Sequence, residues 1–411
     1  MRTLQKQDKE IFDLIKKEEK RQTETIDLIA SENYPSKAVR EALGSIYVAK
    51  YSEGRPYKRY YGGMENVDAL EILVEQRVRK AFGIREEWAV NVQPYSGSPA
   101  NYAVYRGILE RGDTILSLDL SHGGHLTHGS PVSLSGTDYR IVHYTVDRKT
   151  QQLDYDAIAK LALETRPQLI IAGYSAYSRI IDFAAFGKIA QKVGARLMAD
   201  TAHFTGLIMG KMHPSPFPHA DIVTTTTHKT LRGPRGAMII CREELREKIF
   251  PKVFPGLQGG PHNHTIAAIG VALKEAMSPA FRAYASQIVK NAKQLAKSLQ
   301  QLDFQIISGG TDNHVMLVDL RNKDILGKQA QELLESSGIV ANRNTIPFDP
   351  NPPFNPSGVR FGTPAVTTRG MKEKEMKQIA SWISEVISNP ASAPRVKKEV
   401  ASFCKQFPIP D

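Results

Sequence analysis

The sequence predicts an α/β protein, with a large domain on a mostly parallel, mixed sheet and a smaller C-terminal α+β domain. Two observations carry this reading. From Trp88 onward, short apolar runs at 89–92, 114–118, 140–144, 168–172, 195–199, 221–225 and 237–240 alternate with helical periods. The runs are mostly apolar throughout rather than alternating, as in strands buried on both faces. Strand–helix repetition of this kind builds a parallel sheet.

The other elements follow from local pattern. Leu4, Ile11, Leu14 and Ile15 among charges predict an amphipathic helix over 4–21. A loop at 31–35 leads to a helix over 36–48, then a turn-rich stretch, 50–64, dense in Tyr and Arg. A helix covers 66–82. Helical periods fill 263–301, broken at Met277-Ser-Pro279. Strands at 304–307 and 315–319 and helices at 325–337 and 368–388 make up the smaller unit. The expected division is an N-terminal helical arm (1–55), a large domain (56–275) and a small C-terminal domain (276–411).

Composition narrows the class. The 411 residues are 41% hydrophobic and 24% charged, which excludes a disordered chain. No apolar run approaches the ~18 residues of a membrane span. The N-terminus lacks the apolar core of a secretory signal. Cys241 and Cys404 are the only cysteines, too few for a disulfide framework. Cys241 closes an apolar run and is expected in a buried strand. Together these predict a cytoplasmic protein with no membrane partner. Lys+Arg exceed Asp+Glu by 54 − 43, a net +11. Acids alternate with the lysines and no nucleic-acid motif is present, so no nucleic-acid partner is expected. The excess suits a phosphate-bearing cofactor or a polycarboxylate substrate.

Five stretches carry chemistry. In Asp221-Ile-Val-Thr-Thr-Thr-Thr-His-Lys-Thr-Leu-Arg-Gly-Pro-Arg-Gly236 a strand ends in four threonines, then His228 and Lys229. A lysine there, beside Arg232 and Arg235, is placed for a lowered pKa and Schiff-base chemistry. It could equally cap a turn or bind a phosphate. Asp200 ends the strand in Arg196-Leu-Met-Ala-Asp200, where a carboxylate can pair with a pyridinium nitrogen or cap the next helix. Ser96-Gly97-Ser98 opens a helix after a strand, either as an anion site or as an ordinary N-cap. His122, His125 and His128 lie among glycines; the spacing is not that of a zinc site, so no metal is expected and an imidazole stacked on a planar ring is as plausible. Arg360, between glycines, suits a carboxylate fork or a structural ion pair. In chain order these resemble the aspartate-aminotransferase-like architecture, fold type I, of pyridoxal 5'-phosphate (PLP) enzymes.

The sequence further resembles the serine hydroxymethyltransferase family over almost its whole length. The likeness runs through Leu28-Ile-Ala-Ser-Glu-Asn-Tyr34, Lys50-Tyr-Ser-Glu-Gly54 and Lys58-Arg-Tyr-Tyr-Gly-Gly63. It continues through His122-Gly-Gly-His-Leu-Thr-His-Gly129, Thr224-Thr-Thr-Thr-His-Lys-Thr230 and Gln258-Gly-Gly-Pro-His262, closing with Ser357-Gly-Val-Arg-Phe-Gly-Thr-Pro-Ala365. The Thr224–Thr230 stretch is highly specific for the family among PLP enzymes.

The resemblance implies transfer of the hydroxymethyl carbon of L-serine to tetrahydrofolate, giving glycine and methylene-tetrahydrofolate. It implies Lys229 as the Schiff-base lysine, Asp200 as partner of the pyridine nitrogen and His125 as the stacked imidazole. Ser96, Gly97 and Ser98 match the phosphate loop, Ser175 and His203 lie near the phenolic oxygen, and Thr226 and His228 flank the cofactor. Arg360, with Ser31, matches the substrate-carboxylate site, and Glu53 the acid/base carboxylate. Tyr51, Tyr61, Gly259 and Gly260 match groups that reach a neighbouring subunit's site, which implies a homodimer at minimum. Leu120, Gly124, Leu126, Asn344 and Phe354 match folate-contacting positions. The chain departs from the family pattern at Tyr95 (often His), Pro99 (often Gln), Ala237 (usually Gly) and Pro352 (often Ser). The competing enzyme reading is a folate-independent aldolase of 3-hydroxy amino acids; Glu53, Tyr60-Tyr61 and the 344–354 loop argue against it. A non-catalytic PLP- or RNA-binding protein of the fold is disfavoured by Lys229, Asp200 and Arg360.

Overall fold

A computed structural model of the chain describes residues 2–410. The expected N-terminal helix is divided: a helix over Arg2–Gln7 stops before Asp8, whose carboxylate caps α1 (Lys9–Glu24) through Ile11 N. The segment over 36–48 is shorter than its periodicity suggests. Helix α2 (Lys37–Leu43) stops at Gly44, and a separate 3-10 turn spans Ile46–Ala49. The Tyr- and Arg-rich stretch forms a small hairpin, Gly54–Arg55 with Lys58–Arg59, ahead of α3 (Glu65–Phe82).

The large sheet has seven strands: β1 (Trp88–Asn91), β2 (Thr114–Leu118), β3 (Arg140–Tyr144), β4 (Leu169–Gly173), β5 (Arg196–Asp200), β6 (Ile222–Thr226) and β7 (Ala237–Arg242). Their order is β1-β7-β6-β5-β4-β2-β3. Pairing from β6 through β3 is parallel, while β7 runs antiparallel to both neighbours. The seven apolar runs are these strands, with ends moved by a residue or two. Helix α4 (Gly97–Ile108) follows β1. One apolar cluster covers each face of the sheet, with Val90, Leu116, Ile170 and Leu197 in one and Ala89, Ile115, Ile171 and Met198 in the other. Successive strand residues point to opposite faces, so both clusters need unbroken apolar runs. Cys241 is buried within β7.

Helix α5 (Asn263–Ala276) leads to α6 (Pro279–Gln301), capped by the Ser278 hydroxyl at Phe281 N. Phe281, Ala285 and Ile288 of α6 pack into the large cluster, whereas Ala292, Leu295 and Leu299 pack into a C-terminal one. That second cluster surrounds a four-stranded antiparallel sheet, β8 (Gln305–Ile306), β9 (Val315–Asp319), β10 (Asn342–Asn344) and β11 (Gly358–Gly362), in the order β8-β9-β11-β10. The helix expected over 368–388 is broken: Pro364–Thr368 forms a short helix, Gly370 turns with positive φ, and α7 runs Glu373–Ser388. Strands β10 and β11 and the closing helix α8 (Ala393–Cys404) have no counterpart in the sequence reading.

The N-terminal segment joins the C-terminal cluster. Ile26 pairs in parallel with Ile339, and Leu28 O accepts from Gly362 N at 2.8 Å. Arg369 fixes this crossing without a carboxylate partner among the described residues. Its guanidinium donates to the carbonyls of Gln22, Thr23, Thr25, Cys404 and Phe407, tying the ends of α1 and α8 together. The cation there complements two helix C-termini.

Candidate active site

The carboxyl ends of the parallel strands converge on one cavity of about 700 Å³. This is the edge where open α/β sheets bind ligands. Leu118, Gly173, Asp200 and Thr226 end their strands there, and the segments beyond bring Leu120, His125, Ser175, His203 and Lys229 to its wall. The start of α4 adds Ser96, Gly97 and Ser98. Strand β11 and the segment after Leu28 supply Arg360 and Ser31 from the C-terminal side. Thr226, His228, Gly124, Leu126 and Asn344, also expected from sequence, line it as well.

Asp200 forms the floor. Its Oδ2 accepts from Asn101 Nδ2 at 2.9 Å and faces His128 Nε2 at 3.0 Å, while Oδ1 accepts from Ala202 N at 3.1 Å. The carboxylate therefore caps the next segment as well as facing the cavity. Burial alone pushes its pKa up, but hydrogen bonding to His128, the electrostatic influence of the two nearby imidazoles and the Asn101 amide together hold it well below the usual carboxylate range. His128, one of the three motif histidines, thus supports Asp200. His125 Nδ1 lies 2.8 Å from Thr127 Oγ1, and burial lowers its pKa to about 4, leaving a neutral ring at the wall.

Lys229 Nζ donates to Thr226 Oγ1 at 2.9 Å. Burial lowers its pKa to about 8, the Asp200 charge opposes this, and Arg360 and Arg235 add to it. Arg232 has a different place from the one expected: its guanidinium stacks over the Tyr284 ring, 4.8 Å from the centroid. Asn33 Nδ2 donates to the Lys229 carbonyl at 2.8 Å and so ties the lysine to the Ser31 segment.

Arg360 has no carboxylate partner among the described residues. It donates to Ser175 O at 2.8 Å and Asn342 Oδ1 at 3.1 Å, which aim the fork and leave N–H groups free. Burial lowers its pKa to about 10. Ser96 stands at the N-cap of α4, yet its side chain makes no capping bond, so the hydroxyl is not spent on the helix.

Glu53, Tyr51, Tyr61, Gly259 and Gly260 do not line this cavity. They form a second cluster: Tyr61 Oη donates to Glu53 Oε2 at 3.2 Å, the Tyr51 and Tyr61 rings meet edge to face at 5.4 Å, and Tyr51 lies against Gly260. The backbone beside Glu53 is pinned, because Gly54 O accepts from Arg59 at 2.8 Å and Gln93 at 2.9 Å. Arg59 in turn pairs with Asp68 and Glu71 in a buried network. Phe354 is 73% exposed and outside the cavity, although its neighbour Pro353 lines the mouth. The departure Tyr95 stacks on His262 at 4.1 Å and donates to Gly260 O at 2.7 Å, holding the glycine loop.

Asn101, Glu32, Tyr174 and Arg343 also line the cavity without having been singled out in the sequence. Asn101 had one local signal: it lies on the first turns of the helix opened by Ser96–Ser98, on the face that the apolar positions bury.

A sheet-edge cavity with a lysine, a strand-end aspartate and an uncapped helix start belongs here to a PLP-dependent enzyme of fold type I. The model of the serine hydroxymethyltransferase family matches residues 4–383, and the chain belongs to that family.

Proposed function

We propose that this chain catalyses reversible transfer of the hydroxymethyl carbon of L-serine to tetrahydrofolate, with PLP as cofactor. The observation that carries the reading is the meeting of Lys229, ionised Asp200, neutral His125 and unpaired Arg360 in one cavity.

The residues present fit PLP. The phosphate matches the Ser96 and Ser98 hydroxyls and the unpaired first amides of α4. A Cβ on Gly97 would come within 2.8 Å of Thr226 Cγ2, so this cradle is shaped by a missing side chain. His228 Nδ1 is buried without a partner among the described residues. When bound, PLP supplies a protonated, electron-withdrawing ring that stabilises charge left on carbon as a bond to that carbon breaks.

The chain's own groups do the rest. Asp200 stays ionised and holds the proton on the ring nitrogen. His125, being neutral, would lie beside a cationic ring without repelling it. Lys229 releases its proton near neutral pH and so offers an amine for covalent attachment. Arg360 and Ser31 would hold the amino acid's carboxylate and so orient the bonds at its α-carbon. Leu120 and Leu126, both exposed, make an apolar wall beside Gly124 and Asn344, suited to a flat pterin with polar edges. Glu53, with Tyr61, is suited to take or give the proton of the serine hydroxyl. It does so from the partner subunit of a homodimer, together with Tyr51, Gly259 and Gly260.

The test is the visible absorption spectrum of the purified protein with glycine, before and after tetrahydrofolate. A strong red-shifted band that needs both ligands supports the reading. A cofactor band indifferent to folate would favour the folate-independent aldolase. The absence of any cofactor band after added PLP would sink the cofactor site.

A further inference from the structure

His314 stands outside the cavity, fully buried just ahead of β9. Its Nε2 lies 3.3 Å from Nδ1 of His203, a cavity residue, and the two rings are inclined by only 25°. Both imidazoles are neutral. Burial, then the charges of Arg360, Lys229 and His213, lowers His314 to about 3. Burial, with Lys229, Arg360, His314 and His125, pushes His203 well down too.

Two neutral imidazoles in contact share one proton along the line between them, and each has one N–H in all. If His203 Nδ1–H donates, the His314 proton must sit on its own Nδ1. That atom is buried and has no partner among the described residues, so a donor would be orphaned there. Orphaned buried donors cost about 1–3 kcal/mol and are rare. If His314 Nε2–H donates, its Nδ1 carries only a lone pair, and the His203 proton moves to Nε2. The His203 Nε2 makes no hydrogen bond within the chain and is not sealed from the cavity.

We infer that His314 is a positioning residue that fixes the tautomer of His203, making His203 an Nε2–H donor into the cavity. Its role in turnover rests on the PLP reading, where this donor faces the anionic oxygen of an aromatic cofactor; the tautomer itself does not.

The experiment is long-range proton–nitrogen NMR on full-length protein labelled with 15N-histidine, as purified and after removal of cofactor. H203Q and H314Q assign the two rings. The expected result is a proton on Nε2 of both. A proton on Nδ1 of His203 overturns the inference. H314L should mix the His203 tautomers and lower kcat on the order of tenfold with little change in serine KM. H314Q, whose amide replaces the Nε2–H donor, should restore both; an H314L protein with unchanged tautomer and kcat also overturns the inference. A protein with the expected tautomer but no cofactor absorption would sink the PLP reading alone.

Discussion

His128 Nε2 sits 3.0 Å from Asp200 Oδ2, on the same oxygen that accepts from Asn101. Without that imidazole the carboxylate would lose a hydrogen bond and a favourable charge interaction, and its pKa would rise. H128L should therefore lower kcat tenfold or more, on the order of one lost charge-assisted hydrogen bond. The loss should grow as pH falls, because a carboxyl with a raised pKa protonates first in acid. Comparison of pH–kcat profiles checks this; a loss that is flat with pH would assign His128 a purely packing role.

Lys229 has a folded pKa of about 8. Its unfolded value is about 10.4. The sign is the reverse of a salt-bridged lysine. Below pH 8 the fold carries a buried ammonium, and this burden is relieved as pH rises toward the unfolded value, where the unfolded chain still binds the proton. Cofactor-free K229M should thus exceed cofactor-free wild type in stability at pH 7, by on the order of 2–3 kcal/mol. The difference should shrink at pH 9.5. Urea denaturation at both values decides it. K229R should abolish multiple turnover and the cofactor's visible band; undiminished turnover would refute the assigned role.

Much of this site was legible because a polar residue closing an apolar run has few reasons to be there. Asp200 and Lys229 stand out in this way, and Arg360 between glycines stands out by shape. What supports them was not legible. Asn101 and His128 meet Asp200 only after the sheet has formed. Ile26 pairs with Ile339 across most of the chain, with no local signal for the contact. Strand β10 is Asn-Arg-Asn, a polar edge without the pattern of a buried strand. The helix expected over 36–48 overran because apolar spacing continues past Gly44, where the backbone does not.

Arg360 presents a guanidinium fork steered by Ser175 O and Asn342 Oδ1. R360A should raise the serine KM roughly a hundredfold, the cost of about 2–3 kcal/mol for a bidentate charged contact. R360K should recover little, since an ammonium cannot keep both steering bonds and a two-point grip. Steady-state kinetics separate the outcomes. A loss confined to kcat would place Arg360 in structure rather than in carboxylate binding.

Gly124 sits where a Cβ would lie 2.1 Å from Leu118 O and 3.0 Å from Asp119 O. Backbone cannot yield as a side-chain tip does. G124A should shift the 123–128 segment, with a stability loss of about 2 kcal/mol or more. Because His125 and Leu126 ride on that segment, folate-dependent turnover should fall further than cofactor affinity. Thermal melts and PLP titration of the same variant test the pair of effects. An unchanged melt would mean that the turn accommodates the methyl group by another route.

The Glu53–Tyr61 cluster lies outside the cavity of its own chain, although the proposed function assigns it the proton of the serine hydroxyl. Its position is costly to maintain. Arg59, buried, pairs with Asp68 and Glu71, and removing one partner of such a network typically costs about 3–5 kcal/mol. If the cluster serves a partner's cavity, each site needs Lys229 from one chain and Glu53 from the other. K229R and E53Q, each nearly inactive alone, should then regain activity when their subunits are exchanged by dissociation and reassociation, because some mixed dimers contain one intact site. Serine cleavage assayed before and after exchange gives the answer. No recovery, with mixed dimers shown to have formed, would place Glu53 in its own subunit's reaction.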